Sequence, residues 1–279
     1  MEGDLKARTI RYILERQCKS GGFCFYRLEE PNGADTFYAL ATLHLLGTGI
    51  DDLPTIRFLK ESQAEDGSYH NLYQAYYAIK GLRFMGSRPR QDPRPYLATQ
   101  IEHFRMENIS LETSLKRLDL LTELCKDLEV AIPRPQRREI TAFILTHRHG
   151  DGGFGNPTST LLASATAVQS LKRLGMPRET LEVTRFFKTC EHPVHGFLNV
   201  PNMAPSFLEH IHAGLVLSRA LASPPRYPKV CRRFVVRCQD PNGGFARTSH
   251  GLPTLADTYL AIHSLSILDM LEDTVPPKS

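Results

Sequence analysis

The stretch QDPNGGF (Gln239–Phe245), followed ten residues later by LADTYLAIHSLSIL (Leu255–Leu268), decides the fold, because the same pairing of a glycine turn and a small-residue-rich apolar segment recurs along the chain. Gly21-Gly22-Phe23 leads to ADTFYALATLHLLG, Asp66-Gly67-Ser68-Tyr69 to LYQAYYAIKGLRFMG, and Asp151-Gly152-Gly153-Phe154 to LLASATAVQSLKRLG. A weaker copy runs from His195-Gly196-Phe197 to FLEHIHAGLVLSRAL. The gap between the second and fourth turns is twice the usual spacing, and SLETSLKRLDLLTEL after Asn108 fills it without a Gly-Gly. Six units of about 45 residues account for all 279 residues, so residues 1–279 are expected to form one domain.

The two segments of each unit differ. Before each turn the pattern is amphipathic, with Ile10, Ile13 and Leu14, then Ile56, Phe58 and Leu59, then Phe186 and Phe187 set among Arg, Lys and Glu. That pattern predicts outer helices with one wet face. After each turn the segment is apolar or small nearly all round, which predicts inner helices that contact protein or a lined cavity on every side. The turn glycines permit positive φ, and the following aromatic (Phe23, Tyr69, Phe154, Phe197, Phe245) is placed to pack beneath. Gly47, Gly86 and Gly175 mark inner-helix ends, with Pro54, Pro89 and Pro177 opening the next links. The expected fold is all-α, an α6/α6 toroid of six helical hairpins. Closure is preferred over an open solenoid because no polar capping repeat stands at either end.

Composition narrows the function classes. The chain is 41% hydrophobic and 23% charged, with no apolar run near the ~20 residues of a membrane span. The opening MEGDLKARTIRYILERQ has no apolar signal-peptide core, so a cytoplasmic location is expected. Six cysteines without a CxxC pair read as reduced. A net charge of +4 without a long basic stripe argues against nucleic acid as partner. Arg88, Arg90 and Arg94, then Arg134, Arg137 and Arg138, then Arg232 and Arg233 read as solvated exterior or as a partner surface.

The turns QAEDGSY (Gln63–Tyr69), Asp151–Phe154 and QDPNGGF, with the inner segments that follow them, resemble the repeats of protein prenyltransferase β subunits and of squalene and terpene cyclases. The resemblance covers nearly the whole chain and implies an isoprenoid ligand in a central cavity, and a helical α-subunit partner. Squalene cyclases carry Gln-Trp repeats and a DxDD acid motif. This chain has no Trp, and Asp51-Asp52 lies before an outer helix. Prenyltransferases of the family bind zinc through an Asp, a Cys two residues on, and a His on the next inner helix. Those positions correspond here to Glu209, Ile211 and Asp257, and the family's diphosphate-binding Arg and Lys correspond to Met203 and Ser206. The Tyr after the Cys corresponds to His212.

Aligning the inner segments on Asp35 places Gln74, Glu112, Ala163, Glu209 and Asp257 in register. In a closed toroid these groups gather at one mouth, where carboxylates would act as general acid or cation site; as first-turn residues they also suit helix capping. Asp35, Glu112, Glu209, His212 and Asp257 are therefore the candidate catalytic residues. His212 shares a helical face with Glu209, and Glu209, His212 and Asp257 are candidate ligands for a divalent metal, Zn²⁺ or Mg²⁺. Tyr38, Gln74, Tyr76, Tyr77 and Tyr259 are candidate substrate contacts, the tyrosines through their π faces. Cys190, His192 and His195 have ligand chemistry but no common zinc spacing. Three readings follow: a transferase using an allylic diphosphate, a cyclase or isomerase using a ring carboxylate as acid, and a non-catalytic binding toroid.

Overall fold

A computed structural model describes residues 3–26, 29–104, 110–177 and 182–273. Outer helices α1 (Gly3–Leu14), α3 (Leu53–Glu61), α5 (Arg94–Glu102), α7 (Arg134–Thr146), α9 (Thr184–Thr189) and α11 (Pro228–Arg237) alternate with inner ones. The inner helices are α2 (Gly33–Leu45), α4 (Leu72–Phe84), α6 (Leu111–Asp127), α8 (Leu161–Arg173), α10 (Leu208–Leu221) and α12 (Leu255–Asp273). Each inner helix packs on the one before and the one after it, and α12 packs on α2, so the toroid is closed. The strands are two-residue pieces within turns: β1 (Phe154–Gly155) pairs antiparallel with β2 (Ser159–Thr160), and β3 (Glu191–His192) with β4 (Gly196–Phe197).

The turns lock neighbouring hairpins together. Phe23, Tyr69, Phe154, Phe197 and Phe245 are all buried beneath them, as the pattern predicts. Thr36, Ser164 and Thr258, one turn into α2, α8 and α12, accept hydrogen bonds through their hydroxyls from the backbone N–H of Phe23, Phe154 and Phe245. The last turn closes the toroid by seating on α1. Thr9 Oγ1 donates to the Gly243 carbonyl at 3.2 Å, Arg8 donates to Gln239 Oε1 at 2.7 Å, and the Tyr12 hydroxyl donates to the Pro253 carbonyl at 2.8 Å. Gly243 has φ +100°, and a Cβ there would overlap the Arg8 carbonyl, so the closing turn requires glycine on two counts.

The inner helices end at Gly47, Gly86 and Gly175, with φ of 65°, 63° and 87°, where N–H groups fold back onto the last carbonyls. Outer helices begin, and inner helices end, at one face; the turns and the inner-helix N-termini form the opposite face, the mouth. The third turn, with Asn108, lies outside the described residues. All six cysteines are buried free thiols, and among the described residues no helix is long and apolar enough to cross a membrane.

Candidate functional site

The first turns of the inner helices separate two roles that the aligned sequence merges. Asn32, Asn71, Ser110, Thr160 and Thr254 cap their helices, accepting from the N–H of Asp35, Gln74, Thr113, Ala163 and Asp257. Asp35, Gln74 and Asp257 are thus structurally equivalent, but their counterpart in α6 is Thr113, not Glu112. In α10 the equivalent is His210, whose Nδ1 accepts from the Phe207 N–H, so Glu209 is also displaced by one residue. The expected ring of equivalent carboxylates is corrected accordingly.

The displacement changes what each group does. Asp35 Oδ2 accepts from the Phe25 N–H at 2.9 Å, Gln74 Oε1 from the His70 N–H at 3.1 Å, and Asp257 Oδ2 from the Thr254 hydroxyl at 2.8 Å. These three fold back onto their own turns as caps. Burial still lifts the Asp257 carboxyl above the usual carboxylate range, against the pull of the Thr254 bond. Glu112 and Glu209, one residue nearer the helix start, line a cavity instead.

That cavity, of about 410 Å³, lies between α6, α8, α10 and α12. Its apolar wall includes Leu115, Leu162, Ala165, Val216 and Leu260, and its polar lining includes Lys116, Asp119, Thr166, Gln169 and His212. The α2 and α4 side of the lumen is filled by aromatic rings. Phe37 lies 5.2 Å from Tyr38, 5.3 Å from Tyr76 and 5.5 Å from Tyr77 between centroids, and Tyr38 lies 5.6 Å from Tyr259. The four expected tyrosines form this partition, which confines the cavity to one side of the lumen. Of the expected site residues, Glu112, Glu209 and His212 line the cavity itself.

Charged groups more than two turns below the mouth are the feature that motif reading misses. Arg173 pairs with Asp119 and, at 3.1 Å, with Glu123. Lys80 reaches Glu123 at 2.8 Å and Asp127 at 2.6 Å, and Arg83 meets Asp127 at 3.1 Å. Burial raises the Asp119 carboxyl, with Arg173 opposing the shift. Beside them His212 Nε2 lies 3.0 Å from His263 Nδ1. Burial depresses His212 to about 3, aided by His263 and Arg219, and depresses His263 to about 4, aided by Arg219 and opposed by Glu123. The sequence signal for this layer was present in Lys80, Asp119, Glu123 and Arg173, but late in a helix the cations also suit the helix dipole, and the carboxylates a wet face.

The three expected metal ligands are otherwise engaged: Glu209 pairs with Arg247, His212 with His263, and Asp257 with Thr254. Among the described residues no three His, Cys, Asp or Glu side chains converge on a metal position. The donor set does not fit the expected Zn²⁺ or Mg²⁺ site. Of the second candidate cluster, His192 and His195 stack at 4.8 Å and His192 Nδ1 accepts from the N–H groups of Val194 and His195, while Cys190 is buried with its thiol pushed up to about 12 by burial.

The closed toroid and its lined lumen agree with the family model that matches the chain, the prenyltransferase alpha-alpha toroid domain, over residues 1–94, 95–206 and 204–277. The chain belongs to that family. Among solved structures it is similar to Candida albicans protein geranylgeranyltransferase-I complexed with GGPP, at 15% identity and a TM-score of 0.74, covering 96% of this chain and 92% of that one. It is also similar to the type II terpene cyclase MstE from Scytonema, in complex with geranylgeranyl dihydroxybenzoate, at 11% identity and a TM-score of 0.59, covering 96% and 97%. At these identities the likeness is one of fold. No match is found among curated proteins.

Proposed function

We propose that this protein is a single-domain, cytoplasmic, prenyltransferase-type enzyme that binds an isoprenoid chain in the cavity between α6, α8, α10 and α12. The observation that carries the reading is the cavity: its volume of about 410 Å³ is that of a small-ligand site, and Leu115, Leu162, Ala165, Val216 and Leu260 supply an apolar wall. The two structural relatives hold geranylgeranyl compounds, which supports a prenyl chain as occupant. An allylic diphosphate head would remain at the mouth, where Lys116 lines the cavity and Arg247 stands beside Glu209. Glu112 and Glu209 would then handle protons of the acceptor. A helical α-type subunit belongs to the same reading, and sedimentation with and without such a subunit tests that part.

The test is equilibrium binding of geranylgeranyl diphosphate to the purified protein, followed by an assay of diphosphate release in the presence of thiol and alcohol acceptors. Saturable binding that Thr166→Phe abolishes by filling the cavity is the expected outcome. Absence of binding overturns the reading; binding without release in any acceptor makes the toroid a binding module.

One observation favours a second reading. Asp119 is a cavity carboxyl whose pKa burial raises and Arg173 opposes, a shift in the direction that a proton donor to an isoprenoid double bond needs. It joins Asp35, Glu112 and Asp257 as a candidate acid of a cyclase, of which Asp35 and Asp257 are engaged as caps. Formation of a cyclic product from a linear isoprenoid, lost in a folded Asp119→Asn variant, would establish it.

A further inference from the structure

The deep end of the cavity carries two polar groups beside the apolar Val216. Asp119 and Gln169 are its deepest lining residues on α6 and α8, seven and six residues beyond the mouth-level Glu112 and Ala163, or about 10 Å at the helical rise. Nearer the mouth the wall is apolar at Leu115, Leu162 and Ala165. A site shaped only for a hydrocarbon tail has no use for a carboxyl and an amide at that depth.

The hydrogen-bonding capacity there is unfilled. Thr166 spends its hydroxyl on the Leu162 carbonyl, and His212 is bonded to His263. Asp119, a lining residue, holds Arg173 through Oδ1, which leaves the acceptor capacity of Oδ2 for a ligand. The Gln169 side chain makes no hydrogen bond among the described residues, and it stands one turn toward the mouth from Arg173 on the same face of α8. The end of the cavity thus offers a carboxylate acceptor together with an amide that both donates and accepts.

We propose that the isoprenoid taken by this cavity carries a hydroxyl group at its buried end, which donates to Asp119 Oδ2 and accepts from the Gln169 amide. This rests on the isoprenoid reading above and narrows its substrate class. A plain hydrocarbon end would strip water from both groups and give nothing back, which makes it the poorer ligand. A carboxylate or phosphate at this depth would face the Asp119 charge, and an amine would compete with Arg173 for it. A hydroxyl is the group that satisfies both partners with one donor and one acceptor.

The test is calorimetric titration of the protein with geranyl, farnesyl and geranylgeranyl diphosphates and with the ω-hydroxylated derivative of each. At the chain length that reaches the cavity end, the hydroxylated compound is expected to bind about tenfold more tightly than its parent. In Gln169→Leu, and in the shape-matched Gln169→Met, that preference reverses in favour of the parent. Equal affinity for parent and derivative at every length in the wild type overturns the inference, water then serving both groups, and leaves the isoprenoid reading standing. A preference that survives both substitutions overturns the assignment to Gln169. Failure of every diphosphate to bind overturns the inference together with the reading beneath it.

Discussion

His212 and His263 meet inside the lumen with one proton to share in their hydrogen bond, so the folded protein holds both rings neutral. The linkage has a definite sign. Unfolded histidine titrates near 6.5, whereas these two are depressed to about 3 and about 4 by burial, so below about pH 6.5 the unfolded chain binds more protons than the folded one. Their contribution to stability is full above the unfolded value and falls as pH is lowered toward the folded values. The slope approaches about 1.4 kcal/mol per pH unit for each ring at the acid side of that window. Urea melts of wild type and His263→Gln between pH 7 and about 4.5 should converge as pH falls, because the variant has one such ring fewer. Parallel curves would show that His263 titrates in the folded protein as it does in the unfolded chain.

At the scale of helices and turns, glycine carries the architecture. Gly243→Ala places a methyl group against the Arg8 carbonyl at a φ that alanine resists, and it strikes the one turn that joins the last hairpin to the first. The expected cost is about 2 kcal/mol or more, read as a lowered thermal midpoint. The control is Gly47→Ala, which has positive φ but open space around its Cβ position, and should cost about 1 kcal/mol. The same turns made the hairpins legible in the sequence, since a glycine, a buried aromatic and a small-residue helix form a local signature. The register of the mouth was less legible. Asp35 and Asp257 lie beside a capping Asn or Thr and are easily aligned, whereas α10 starts from Phe207 and uses His210 in the capping role, so hydrophobic pattern alone leaves its start ambiguous by one residue. That residue is the difference between a carboxylate that caps and one that lines the cavity. The pairing of Arg173 with Asp119, on a neighbouring helix, was not legible at all, because nothing local marks which inner face a late-helix charge will take.

Across the molecule, the lumen is divided by composition. Aromatic rings from α2, α4 and α12 occupy one side, and the ion network linking α4, α6 and α8 lies deep in the lumen, while a cavity of ligand size opens between α6, α8, α10 and α12. Removing one cation from the network should carry a measurable cost, since two part-buried carboxylates each lose one of their two partners. Lys80→Met, which leaves Glu123 to Arg173 and Asp127 to Arg83 as remaining partners, is expected to destabilise by about 1 kcal/mol, measured by chemical denaturation. An unchanged midpoint would mean that water replaces the ammonium.

The seating of the last turn on α1 also means that the hairpin order has no privileged starting point. Helix α1 begins and α12 ends on the same face, where every other inner helix hands over to the next outer one across a short link. Cutting the chain in the link between Gly47 and Asp52, and bridging the original ends with a long glycine-serine linker, should therefore give a circular permutant with the same helices in the same places. Matching far-ultraviolet circular dichroism and a single cooperative unfolding transition would be the sign that the cut is tolerated. A permutant that melts in two steps would show that the join between α12 and α2 is a seam, made late and held loosely, in a toroid that is otherwise continuous.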